Sequence, residues 1–235
     1  MQKTEIIAAG YYVARVLETP AALAHELLPE RVLTLSPCLT EFFPDAWAIE
    51  WVTNSDAERL AAASALGIPS HLVPAVVRHM TDALSALQLG WPGVWLSLTA
   101  GRAAANDFLP DSSDFALLGL GVPGDLVESL SSAVEPKPGE GPSGLYQTLS
   151  RRAPLEPTGD PAGWELLGVE LGACHSWLCN SVHVLAQSRL GITPNALGLI
   201  PTEEQARQVT TLISQDPSIA EPASWFPGLL VRYPL

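Results

Sequence analysis

The sequence predicts an α+β chain, helices packed on a small mixed sheet, and three observations carry that reading. Residues 55–66 and 71–89 have helical patterning. Residues 164–171, WELLGVEL, have strand composition, as do 47–53, 93–99 and 114–120. The chain is also too apolar for disorder, with 47% hydrophobic and 16% charged residues and a mean hydropathy of +0.20 over 235 residues.

Taken in order, 5–16 is apolar without a clean period and fits a strand or a short helix. Residues 20–28 read as a helix opened by Pro20, where the first amides have no partner to lose. RVLTLSPCL follows and is stopped by Pro37; WAIEWVT at 47–53 alternates as a strand does. Ser55 is placed to cap SDAERLAAASALG, and Gly67 to end it. Across 71–89, Leu72, Val76, Met80, Leu84 and Leu87 recur at spacings of three and four and form one apolar stripe. GVWLSLT (93–99) and DFALLGL (114–120) are strand candidates, and Pro123 starts a helix. After 164–171 the pattern predicts a helix at about 175–188. A second, at 202–214, has Thr202 as cap and Gln205 to close a capping box. The tail SWFPGLLVRYPL reads as an edge strand, because Pro227 and Pro234 cannot donate to a ladder.

Residues 134–161 carry six prolines and four glycines and read as a connector, with LYQTLSRR at its centre able to order. The expected organisation is an acidic N-terminal part (1–133), this connector, and a strand–helix–helix part (162–235) that can pack with the first as a single domain. DFALLGLGVPGDLVESL and GWELLGVELGACHSWLCNSV echo one another, which suggests two similar strand–turn–helix units; richness in leucine and glycine also produces such an echo.

The net charge is −13, concentrated in 1–133. That excludes a phosphate-neutralising nucleic-acid binder and disfavours an anionic membrane surface. It suits a basic protein partner, since opposite fields steer encounter. Three cysteines do not make a disulfide scaffold, no apolar run is long enough to span a bilayer, and the N-terminus lacks the order of a secretory signal. A cytoplasmic setting is expected.

The densest reactive cluster is Cys174, His175, Cys179 and His183. On one helix, the last three would share a flank at i, i+4 and i+8. They would span about 12 Å, too far for one tetrahedral zinc site. Cys174 would stand at a helix N-terminus, where a thiolate is favoured. Lacking a GxSxG elbow, a phosphate loop or an HExxH helix, the chain is expected to need no cofactor and no metal. Asp107, Asp111 and Asp114, with Trp91 and Trp95, are candidates for a partner-binding face. In habit the chain resembles small acidic cytoplasmic bacterial proteins that act by holding a partner, immunity proteins of toxin systems among them. The leading expectation is a non-enzymatic protein-binding module, of inhibitor or immunity type, for a basic partner. The alternative is a small thiol- or metal-dependent hydrolase centred on Cys174, His175, Cys179 and His183.

Overall fold

A computed structural model describes residues 5–19, 27–36, 50–91, 93–109, 115–137, 143–170 and 173–235. Its class is α+β. Seven strands form one antiparallel sheet: β1 (Ile6–Arg15), β4 (Leu89–Gly90), β5 (Val94–Trp95), β6 (Phe115–Pro123), β7 (Asp160–Glu170), β8 (Ala173–His175) and β9 (Ser224–Tyr233). Their order is β4-β5-β1-β6-β9-β7-β8. A separate two-stranded ribbon pairs β2 (Leu17–Glu18) with β3 (Arg31–Val32).

Helices cover both faces of the sheet, and this explains why its strands do not alternate cleanly in sequence. On one face, Ala116, Leu118, Leu120 and Val122 of β6 and Leu167 of β7 pack with α5 (Val127–Ala133), α6 (Gly144–Ser150) and Leu33 and Leu35. On the other, Tyr11, Val13 and Leu117 meet α2 (Asp56–Leu66), α3 (Val73–Ser85) and α4 (Leu98–Phe108). Trp164, Leu166 and Trp225 meet α7 (Val182–Leu190) and α8 (Glu203–Gln215) on that same side. Leu118 and Leu120 are wholly enclosed. Each contributes about 1.5–3 kcal/mol by burial, and truncation of either to alanine costs about 2–5 kcal/mol.

The signals at the ends of α2 act as read, and those of α3 and α8 act in part. Ser55 Oγ accepts from the Glu58 amide, Glu58 accepts from the Ser55 amide, and Gly67 takes the left-handed conformation that ends α2. Val76 and Met80 of the predicted stripe are fully buried; Leu87 has left the helix and is exposed. Thr202 caps α8, accepting from the Gln205 amide. The Gln205 side chain, however, accepts from the Thr202 hydroxyl in place of the bond to the Thr202 amide that the predicted capping box needs.

Several expectations are corrected. The described part of 47–53 is a helical turn, α1 (Glu50–Thr53), not a strand. The stretch 93–99 divides after Trp95, because Ser97 accepts from the Ala100 amide and starts the alanine-rich α4. The tail is not an edge: β9 lies between β6 and β7. Pro227 is tolerated there because the pairing with β6 covers only 229–233. Strand 164–171 is not followed directly by a helix. The chain first turns back as β8, and α7 begins only at Val182.

Residues 134–161 do more than connect. Leu145 and Leu149 of α6 are buried against β1, Ala153 accepts from the Ala8 amide, and the Leu155 amide donates to Ile6. Most of the helix read at 20–28 lies outside the described residues.

Candidate functional site

β8 pairs with β7 so that Cys174 faces Val169 and His175 faces Gly168. Cys174 therefore turns into the core beside Val169, and His175 turns to the opposite side. There His175 Nε2 lies 3.3 Å from Glu170 Oε2, and its ring centroid lies 6.5 Å from that of Trp225.

Beyond β8 the chain makes a tight corner. Asn180 (φ 55°) and Ser181 (φ 58°) are both left-handed, a conformation that disfavours side chains and needs surrounding support. Support comes from three bonds: the Cys179 amide to the Ser176 carbonyl, the His183 amide to the Trp177 carbonyl, and Trp177 Nε1 to the Gly198 carbonyl. The sequence-predicted row His175, Cys179, His183 is thus broken across a strand, a 3₁₀ turn and a helix. Two successive left-handed residues prevent one continuous helix.

What the corner encloses is a carboxyl group. Glu165 of β7 is 1% exposed. Ser176 Oγ donates to it at 2.9 Å from both oxygens, and the Leu166 amide donates to Oε1 at 2.9 Å. Thr34 and the Trp177 amide also bond to it. Three separate segments thereby converge on one side chain. Burial pushes its pKa up from 4.5 to about 7, although the four hydrogen bonds favour the charged form and pull the other way.

The network continues through sulfur. Cys179 Sγ accepts from the Ser176 amide at 3.4 Å and lies 3.5 Å from Ser36 Oγ. Ser176 Oγ in turn accepts from the Leu178 amide. His183 meets the Trp177 ring edge to face, with centroids 6.3 Å apart. Glu165 has no sequence motif. Its one signal is an acid at an inward position of an otherwise apolar strand.

Cys174, Cys179, His183 and Glu165 are all enclosed, each less than a tenth exposed. Cys174 stands in a strand rather than at a helix N-terminus, and neither cysteine has the partly open setting of reactive thiols. Among the described residues, no group of three or more His, Cys, Asp and Glu side chains is arranged to hold a metal ion. The arrangement ties strand, corner and Thr34–Ser36 segment together.

The candidates for a binding face are scattered. Trp95 is 1% exposed and packs beneath α4, so it is core. Trp91 is 37% exposed at the β4 edge, and its carbonyl accepts from the Gly144 amide. Asp107 is exposed in the last turn of α4. Asp111 and Asp114 lie outside the described residues. Among the described residues, no helix is long and apolar enough to cross a membrane. The chain matches no protein-family model, no curated protein and no solved structure.

Proposed function

We propose that this chain is a non-enzymatic protein-binding module whose acidic surface holds a basic protein, as an inhibitor or immunity-type protein does. The observation that carries the reading is the placing of Asp82 and Asp107. They stand in the last turns of α3 and α4, at the negative ends of two helix dipoles, where a carboxylate is unfavourable. The two helices meet through the rings of His79 and Phe108, centroids 5.2 Å apart, so both carboxylates belong to one corner of the molecule. Stability does not account for acids at those positions; recognition of a cationic surface does. Arg78, one turn before Asp82 on α3, is exposed and adds one positive charge beside it. Of the described carboxylates only Glu165 is buried, so nearly all of the negative field is presented to solvent. A cytoplasmic setting suits a protein that buries Cys174 and Cys179 in its interior.

The test compares the wild type with Asp82→Lys/Asp107→Lys in capture from host lysate at low and high salt, with mass-spectrometric identification. A partner of positive net charge, lost at high salt and with the variant, supports the reading. A neutral or acidic partner held equally by both proteins sinks it.

A further inference from the structure

The β6–β9 ladder runs from Leu117 opposite Tyr233 to Gly121 opposite Leu229. Carried two residues further along each strand, the same register would set Pro123 opposite Pro227. Neither residue has an N–H to give, so that rung cannot form in either direction. β6 instead enters the 3₁₀ turn Gly124–Leu126, while β9 extends back to Ser224 paired with β7 alone. The strands part, and a depression of about 270 Å³ lies at the parting. Trp225, Phe226 and Pro227 line it from β9, with Leu126 and Ser129 from one side and Thr211 of α8 from the other.

Arg207 also lines the depression, and its charge is committed. Nη1 and Nη2 donate to the two oxygens of Asp125 at 3.0 and 2.8 Å, and Nε donates to Glu203 at 2.9 Å. One guanidinium between two carboxylates leaves the border net negative, and an anionic ligand would have to displace both acids. Exposed Glu204 adds to the same sign. The chemistry therefore selects a cationic neighbourhood around an apolar group. The volume falls just below the roughly 300–1,000 Å³ of small-molecule pockets and suits a single large side chain. Aromatic surfaces already fixed by packing are where such anchors gain most on binding. The two prolines make the open stretch of β9 a poor template for an added strand, so the occupant inserts a side chain.

We propose that this depression is the anchor site for the basic partner, taking one aromatic or large aliphatic side chain flanked by lysine or arginine. The proposal rests on the protein-binding reading above and names the part of the partner that is held. Because one side chain fills it, short peptides are adequate probes.

Acetyl-Lys-Phe-Lys-amide and acetyl-Glu-Phe-Glu-amide are titrated into the full chain, following the backbone amide resonances of Leu126, Thr211 and Phe226. The lysine peptide is expected to shift these three with a millimolar dissociation constant. The glutamate peptide should bind at least tenfold more weakly. Ser129→Trp and Thr211→Trp, two exposed positions that narrow the depression independently, should each abolish the shifts. No shift at these residues, or shifts that survive both variants, overturns the anchor site. Lysine-peptide shifts confined to other acidic residues also overturn it, while leaving the acidic-surface reading intact. Equal binding of the two peptides in the depression overturns the cationic flank instead, and with it the basic-partner reading.

Discussion

Trp225 lies flat across Gly168: a Cβ placed on that glycine would stand 2.7 Å from the indole carbons. The two are opposite one another in the β7–β9 ladder. On the other side of β9 the arrangement recurs, for a Cβ on Gly119 of β6 would stand 2.8 Å from the Tyr233 ring. Gly119 and Gly168 are the glycines of the two LLG runs that echo in the sequence. Each makes room for an aromatic ring of the strand between them. Packing thus gives the echo a physical reason that requires no duplication.

Gly168→Ala should destabilise by about 1–3 kcal/mol, because the added methyl must displace the Trp225 ring. Gly191→Ala isolates the backbone cost: nothing lies within 4 Å of its Cβ, and only its φ of 69° opposes the change, at about 1–2 kcal/mol. Urea unfolding of both variants measures the two losses. A loss below about 0.5 kcal/mol for Gly168→Ala, the range of ordinary surface substitutions, would mean that Trp225 does not press on Gly168.

Glu165 makes stability depend on pH. Its pKa is raised on folding from 4.5 to about 7. Its stabilising contribution is therefore complete below pH 4.5 and is lost as the pH rises through about 7. Relative to Glu165→Gln, the wild type should lose about 3 kcal/mol between pH 4.5 and 8. Denaturant midpoints of both proteins across that range supply the measurement. A wild-type–variant difference that stays constant with pH would show that the carboxyl does not titrate.

Cys174 and Cys179 should alkylate slowly in the native protein. Exposure of either sulfur requires local opening, so urea should accelerate the reaction by about 100-fold or more. Peptide mass spectrometry keeps these two apart from Cys38, which lies outside the described residues. Rapid native modification of Cys179 with an apparent pKa below about 7 would favour the thiol-hydrolase alternative.

Asp107→Asn should raise stability by about 0.3–1 kcal/mol at low salt, less at high salt, because it removes a negative charge from the negative end of α4. Thermal unfolding at two ionic strengths tests this. A loss of stability would mean that Asp107 makes a structural interaction, and the argument for a recognition role would fall with it.

How much was legible follows the range of the interaction. The ends of α2 could be read because Ser55, Glu58 and Gly67 act on amides within one turn of themselves. Thr202 and the first turn of α8 are the same case. A strand with both faces covered announces itself by continuous leucine and valine, which is why β6 and β7 were visible and their faces were not. The corner at Asn180–Ser181 was hidden because neither residue carries the glycine that usually marks a left-handed turn.

By itself the sequence determined the α+β class, the caps, the apolar runs and the acidic surface, all properties of residues within a few positions of one another. Only the tertiary structure decided that the tail becomes a central strand, that Glu165 is clasped by Thr34 and Ser176, and that Pro123 and Pro227 stop the same ladder. Each of those depends on residues brought together from distant parts of the chain, and no local preference encodes which segments will meet.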